Sequence, residues 1–397
     1  MSVEAADEPT RHVKRREVAG SALSQLGSPV AMLDSLLSCM IHVLSNGLEI
    51  PVLARHFLIP SAFVASLIWI SPPAAASDCW TAEYETRFSD PGGPTFYWRR
   101  NKLASAALNP YHYLVDECVA PGDDQRFFVH GLYGRGAPTY ELYKEQSQLH
   151  VATGDSTWKE LGISRTTKGG AASFYLTGEE ILGPGAHHLK AFIPGDNTDA
   201  NGFLWSWNPG MKAIVTDIDG TLTKDDLQQY LDIIYDIGPL DYVPEPKPGA
   251  VELMQFWGSR NFAVVYITAR PSYLKDVTIQ WLHDLGFPLG PVICYGASGG
   301  VLPPIGSNET IRYKSKRIDD FEERLGTRFV VAYGNSDTDR DAFCQAAEVE
   351  PERIFMIDCA TCAPPADCPH KLVEDNWHGH LADLEGYGIP VISQPCD

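Results

Sequence analysis

Between Ala213 and Thr223 the chain reads Ala-Ile-Val-Thr-Asp-Ile-Asp-Gly-Thr-Leu-Thr, an apolar, β-branched run that ends in two carboxylates. The run has the character of a buried strand, and Asp217 and Asp219, spaced i and i+2, share one of its faces. At the carboxyl end of a parallel strand that face opens onto the ligand crevice of an α/β sheet. Two acids held there are costly unless a cation or a reaction uses them. Gly220 permits a sharp turn, and Thr221 offers a hydroxyl and backbone N–H groups to an anion. A capped, solvated loop would explain a lone Asp-x-Asp, but it explains the whole run less well.

Three later segments fit the same scheme. Phe262 to Pro271 is an apolar run of strand length that ends in Thr268, with Ala269 and Arg270 beyond. Lys314 stands ahead of Ile318, Phe321 and Leu325, an apolar face at helical spacing. Phe329 to Tyr333 reads as another strand, followed by an acidic loop in which Asn335 and Asp339 are candidate oxygen ligands. Each piece alone is ordinary, since surface lysines and Asp-rich loops are usually solvated. Their order is what carries weight.

The pattern Asp217-x-Asp219-Gly220-Thr221, with Thr268, Lys314, Asn335 and Asp339 following in sequence, resembles the haloacid dehalogenase superfamily of phosphohydrolases. The resemblance implies a Rossmann-like, doubly wound parallel sheet. It implies Asp217 as the nucleophile on phosphorus and Asp219 as general acid and base, with Thr268 and Lys314 holding the phosphoryl group. Gly220, Thr221, Ala269 and Arg270 would then contact substrate. A phosphate dianion repels an attacking carboxylate, so a hard cation must bridge them, and Mg²⁺ suits oxygen ligands. Asp217, the backbone carbonyl of Asp219, Asn335 and Asp339 form the candidate metal set.

Longer stretches narrow the resemblance. Pro246-Lys247-Pro248-Gly249, Ile267 to Pro271, Trp281 to Val292, Tyr313-Lys314 and Ala332 to Asn335 are similar to lipin-type phosphatidate phosphatases. They are nearer still to the related LNS domain at the C-terminus of membrane-associated phosphatidylinositol transfer proteins. The similarity runs from Asp196 to Asp358. In the transfer proteins the Asp-x-Asp motif is degraded, which leaves a lipid-sensing module. Here Asp217, Asp219 and Thr221 are intact, so the resemblance implies a Mg²⁺-dependent phosphatase acting on a phosphate monoester, a lipid phosphate such as phosphatidic acid first. Peripheral membrane contact would follow. Two alternatives stand beside it: a broad-range exported acid phosphatase and a non-catalytic phospholipid-binding module. Asp219 argues against the module, because a binder needs no general acid. Between Asp225 and Pro246, Leu227, Tyr230, Leu231, Ile234 and Tyr235 repeat at helical spacing. One short helix there makes a small lid, and an open site suits a substrate whose bulk lies elsewhere.

The remaining chain divides by texture. Arg55-His56 precedes an apolar run from Phe57 to Ile70 and the small residues up to Ser77, the form of a signal peptide cleaved after Ala76. The run is short for a membrane span, and an uncleaved anchor is the alternative. Export, periplasmic or secreted, is therefore the expected location; Met1 to Ala54 has the look of an over-extended gene start. Residues 77–119 read as an irregular segment. From 120 to 209, short alternating runs separated by Gly, Pro and Asp turns predict an antiparallel β-sandwich. Residues 210–397 form the catalytic domain with a Cys-rich tail. Trp205 and Trp207 share a strand face and read as packing rather than a lipid-facing pair, and His187-His188 as a strand pair. A formal net charge of −20 disfavours nucleic acid as a partner. Arg312, Lys314, Lys316 and Arg317 read as a solvated helix start that includes the one catalytic lysine. Cys359, Cys362, Cys368 and His370 have zinc-like spacing, but prolines stiffen the loop and export favours disulfides. Cys294 and Cys344 read as buried thiols, and Cys79 with Cys118 as a natural pair.

Overall fold

The computed structural model describes residues 84–85, 88, 95–134, 139–154, 156–224, 243–296, 307–346, 349–350, 353–359, 362 and 368–394. All of them belong to the second of two compact units, Pro72–Asp397. The leader, Cys79, Cys396 and the lid segment 225–242 lie outside the described residues.

The first part of this unit is built mostly of antiparallel strands. A helix, α1 (Arg99–Ala107), precedes β1 (Tyr113–Leu114), β2 (Glu117–Val119), β3 (Gln125–His130), β4 (Leu132–Tyr133) and β5 (Tyr140–Glu141). Then follow β6 (Gln146–Ala152), β7 (Trp158–Arg165), β8 (Ala171–Leu176), β9 (Gly185–Ile193) and β10 (Thr198–Ser206). They form a three-stranded sheet, β1-β3-β8, and a five-stranded sheet, β2-β10-β9-β6-β7. Alternate residues of both sheets meet in one apolar cluster that includes Leu114, Phe127, Phe174, Leu189 and Leu204. The stretch expected to be irregular thus holds α1 and two strands. β1 pairs with β3 and β2 with β10, so a division at residue 119 would cut both sheets.

The second part is a parallel sheet. It comprises β11 (Lys212–Thr216), α2 (Ala250–Gly258), β12 (Ala263–Pro271), α3 (Lys275–Asp284), β13 (Val292–Tyr295) and α4 (Ser307–Leu325). These are followed by β14 (Arg328–Gly334), α5 (Asp337–Gln345), β15 (Ile354–Ile357), β16 (Lys371–Val373) and α6 (His378–Gly386). The order is β13-β12-β11-β14-β15-β16, with every neighbouring pair parallel. Ala213, Ile214 and Val215 are fully buried on both faces of the central β11, which is why the sequence there is continuously apolar rather than alternating. Helix α4 buries Lys314, Ile318, Phe321 and Leu325, the stripe anticipated from its spacing.

Trp205 and Trp207 are fully buried in the core that includes Phe321, so they are packing residues. His188 bonds Glu85 N–H and Asn201, and burial pushes its pKa down to about 3. In the tail, Cys359 bridges to Cys362 and Cys344 to Cys368. The reading of Cys344 as a free thiol is therefore corrected: it lies at the end of α5, where the tail folds back to meet it. His370 bonds the backbone carbonyls of Cys362 and Cys368. Cys118 and Cys294 are free thiols, which leaves Cys118 without the bridge to Cys79 that its position suggested.

One carboxylate joins the two parts. Asp116 Oδ1 accepts from Phe203 N–H at 2.8 Å and pairs with Lys275 Nζ at 2.5 Å, while Oδ2 accepts from Val292 N–H at 3.0 Å. It thereby ties β10, α3 and β13 together, and both charged groups are buried. Breaking a buried pair strands the remaining charge, so Asp116→Ala should cost about 3–5 kcal/mol in denaturant unfolding. A loss below about 1 kcal/mol would show that the interface does not depend on this contact.

Candidate active site

The carboxyl ends of β11, β12 and β14 bring together the residues that the sequence singled out. Asp217 follows β11, and its N–H still donates to Tyr333 O of β14 at 3.0 Å. The chain then turns at Gly220, whose φ of 75° is readily adopted only by glycine. Gly220 N–H donates to Thr223 Oγ1 at 2.9 Å, which locks the turn. From outside, Trp377 Nε1 donates to Thr221 O at 2.9 Å. Beyond the turn, residues 222–224 pair with 245–247 through Lys247 N to Leu222 O at 2.7 Å and Lys224 N to Glu245 O at 2.9 Å.

Lys314 supplies the central charge. Its Nζ lies 2.5 Å from Asp217 Oδ1 and 2.5 Å from Asp339 Oδ1, with all three groups buried. Asp339 is held from its other side. Its Oδ2 accepts from Ser336 Oγ at 2.7 Å and from the Ser336 and Asn335 N–H groups, completing the capping box of α5. Both oxygens of Asp339 are thus engaged, and it acts in this arrangement as a support for Lys314. Thr221 Oγ1 lies 3.2 Å from Asp217 Oδ2 and 3.0 Å from Asn335 Oδ1, so these two oxygens converge on one point.

Asp219 has a different partner. Arg270 reaches it through Nε at 3.1 and 3.0 Å and through an amino nitrogen at 2.8 Å, a bidentate pair. Thr268 Oγ1 donates to Asp219 Oδ2 at 3.2 Å and accepts from Arg270 N–H at 3.1 Å. Thr278 Oγ1 receives the far end of the guanidinium at 3.0 Å. Arg270 is therefore turned toward Asp219, and its expected place beside substrate is occupied by this pairing. Ala269 lies between Thr268 and Arg270, half-buried.

The charges do not balance. Three buried carboxylates, Asp217, Asp219 and Asp339, face two cations, Lys314 and Arg270. Burial, then the nearby Asp339, raises the Asp217 pKa to about 8 in spite of Lys314. Burial alone would lower Lys314, but Asp217 and Asp339 outweigh it and hold the ammonium charged. The excess negative charge, and the convergence of Asp217 Oδ2 with Asn335 Oδ1, make an all-oxygen set that fits a hard divalent cation.

Four contributors were not singled out from the sequence: Thr223, Thr278, Ser336 and Trp377. Thr223 and Ser336 sit inside motifs already recognised, where a hydroxyl three residues from a turn or helix start is a usable signal. Trp377 acts across 156 residues, which no local pattern reports, and Thr278, eight residues beyond Arg270, lies on the following helix with no motif to mark it.

Fold and site together define an α/β protein whose parallel sheet gathers a buried carboxylate cluster at its carboxyl ends. Residues 214–358 match the family model described as PITM 1-3, LNS2 domain. Membrane-associated phosphatidylinositol transfer protein 1 of Rattus norvegicus is 24% identical over 307 residues, covering 76% of this chain and 23% of that protein. Protein retinal degeneration B of Drosophila melanogaster is 24% identical over 304 residues, covering 75% of this chain and 22% of that protein. Membrane-associated phosphatidylinositol transfer protein 3 of Mus musculus is 22% identical over 298 residues, covering 74% and 28%. The chain spans about a quarter of the length of these relatives.

The raised Asp217 pKa has a thermodynamic consequence. Between the ordinary value of 3.8 and the folded value of about 8, the folded state binds more protons than the unfolded state. Stability therefore falls as pH rises through that window. With chelator present, wild type should lose melting temperature relative to Asp217→Asn between about pH 5 and pH 8. Buried histidines such as His188 and His380 act equally in both proteins and cancel in the difference. Parallel curves would show that Asp217 carries no such proton.

Proposed function

We propose that the chain is a Mg²⁺-dependent phosphatase that hydrolyses a phosphate monoester through an aspartyl-phosphate, with a lipid phosphate such as phosphatidic acid as substrate. The observation that supports it most is the excess of buried carboxylate over cation in the cluster of Asp217, Asp219 and Asp339, with Asp217 set near Asn335 and paired with Lys314. The haloacid dehalogenase-like reading of the parallel sheet, with a β-sandwich beside it, belongs to the same proposal. Asp217, Asn335 and the Asp219 carbonyl would hold Mg²⁺, whose charge would offset that of substrate, and Asp217 would release its proton to solvent. Asp217 then attacks phosphorus as the ester P–O bond breaks, and Asp219 gives the leaving alkoxide its proton. Asp219 next takes a proton from water as that water attacks the aspartyl-phosphate, which frees Asp217 and inorganic phosphate. Thr268 and Lys314 would stabilise charge on the phosphoryl oxygens, whereas the Gly220 and Thr221 N–H groups, expected beside substrate, are taken up within the turn by Thr223 Oγ1 and Ile218 O. For this cycle Asp219 must leave the grip of Arg270 and take up a proton from solvent before the leaving group departs, and an arriving phosphate is a natural competitor for that guanidinium.

The lipid preference draws on the relatives, whose names describe membrane-associated phosphatidylinositol transfer proteins. Those names equally suit a phospholipid-binding module without turnover. The Asp219–Arg270 pair is the structural observation that favours this second reading, because it leaves the would-be acid engaged.

Phosphate release from phosphatidic acid in mixed micelles and from soluble monoesters, with Mg²⁺ and with chelator, decides between the two. Asp217→Asn is nearly isosteric and should lower release by at least roughly 10²-fold. Retained activity would refute a covalent aspartyl mechanism, and binding of phosphatidic acid with no release in wild type would establish the module. Turnover of sugar phosphates without phosphatidic acid would overturn the lipid assignment.

The two carboxylates are separable by leaving group. Asp219→Asn should slow an alkyl ester severely and an aryl ester much less, since an aryl oxide needs little protonation. Equal losses on both, with lost metal affinity, would assign Asp219 a structural role.

A further inference from the structure

The surface at the start of α1 carries large side chains in the open. Tyr97, Trp98 and Leu103 are 49%, 42% and 60% exposed. Arg165 of β7 lies over the Tyr97 ring at 4.6 Å, and Trp98 meets Tyr143 edge-on at 5.2 Å. Arg100 lies over the other side of that contact, 4.4 Å from the Tyr143 ring, with Lys144 at 5.6 Å. These contacts join α1, β7 and the turn after β5 into one aromatic and basic face. Leu103 follows Arg99 at i+4 and so stands on the same outward side of the helix.

The outward charge of this face is positive. Arg99, Arg100, Lys102, Lys144 and Arg165 are all exposed, and none of them makes an ion pair among the described residues. The first three occupy the first turn of α1, where the helix dipole opposes cations, and that turn holds no acidic residue. Glu145 offsets them only from beneath: it is buried and accepts from the Tyr97 and Trp98 N–H groups at 3.1 and 2.8 Å and from Asn101 at 2.8 Å. Glu141 is taken up by His130. Five outward cations therefore face solvent uncompensated in a chain whose net charge is −20. A local rule broken without a stabilising partner is the mark of a surface kept for binding.

We propose that this face docks on an anionic lipid bilayer, with Tyr97, Trp98 and Leu103 entering the headgroup layer and the five cations meeting lipid phosphates. Tyrosine and tryptophan, apolar in body and polar at the tip, suit that layer, and lysine and arginine stems lie along it with their charges in water. The charge complementarity acts at short range: the rest of the chain opposes approach, but its field is screened beyond about 10 Å at moderate salt. The surface lies outside residues 214–358, and the proposal rests neither on turnover nor on a phosphate-monoester substrate.

The test uses the full chain, with chelator, and vesicles of phosphatidylglycerol and phosphatidylcholine, both phosphodiesters that a monoesterase leaves intact. Peptide-resolved modification of lysines by an amine-reactive ester reports where the vesicle touches. Phosphatidylglycerol vesicles should protect Lys102 and Lys144 and leave Lys316, exposed on α4, reactive, whereas pure phosphatidylcholine should protect neither. Arg99→Gln/Lys102→Gln removes two exposed, unpaired cations and leaves the fold undisturbed. It should raise the lipid concentration that half-protects Lys144 by at least roughly tenfold. Leu103→Ser should raise it roughly severalfold, and Asp217→Asn should leave it unchanged. The proposal is overturned if both lysines stay reactive on phosphatidylglycerol, if phosphatidylcholine protects them equally, or if the double variant is protected as wild type is. Protection by polyglutamate, with vesicle binding indifferent to Leu103→Ser, would make the face a site for an acidic polypeptide and overturn the membrane assignment. Loss of protection in Asp217→Asn would place the contact at the carboxylate cluster and overturn it too.

Discussion

A single ammonium, that of Lys314, determines how the carboxyl ends of the parallel sheet are arranged. Asp217 enters from β11 and Asp339 from the first turn of α5, and each lies 2.5 Å from it. Like charges so close in a medium of low dielectric would drive the two strand ends apart. One cation between two carboxylates removes most of that repulsion but not all of it. The residue of negative charge is carried as a raised Asp217 pKa. The same imbalance that makes the metal-free cluster hold a proton makes it receptive to a divalent cation.

Asp219 shows the opposite arrangement. Its carboxylate is fully matched by a bidentate guanidinium that is itself pinned by Thr268 and Thr278. A charge-matched pair of this kind fixes both side chains in one geometry and keeps the carboxylate engaged. The two carboxylates of one motif are therefore separated by environment: Asp217 is left short of positive charge and Asp219 is amply supplied. An enzyme needs that distinction between nucleophile and acid, but it also needs Arg270 to yield when substrate arrives. A sensor needs only the binding half. The difference between the two functions thus reduces to whether an anion can draw Arg270 from Asp219.

Much of this was legible in the sequence because it is local. The strand from Ala213 to Thr216, the helical stripe Ile318-Phe321-Leu325 and the capping loop before α5 each declare themselves through periodicity or a fixed offset. The meeting of Asp217 with Lys314 was accessible only through order along the chain, since their separation is 97 residues. What the sequence withheld is of two kinds. Pairing partners such as Arg270 with Asp219 depend on which way a buried side chain turns, and a motif does not state that. Cross-chain fasteners such as Trp377 on Thr221, Cys344 on Cys368 and Asp116 on Val292 have no local signature. The short strands β1 and β2 were missed because two or three residues are too few to show alternation.

Net charge bears on how substrate could reach such a site. At −20 the whole chain repels a phosphate dianion and an anionic membrane alike. Long-range attraction therefore cannot gather substrate; contact must rest on short-range groups, screened beyond about 10 Å at moderate salt. The cations able to do so are few and placed with care. Lys314 and Arg270 are buried against carboxylates and become available to phosphate only as those contacts are shared or exchanged. In the phosphatase reading, a cation held at Asp217 would add the positive charge that this cluster lacks.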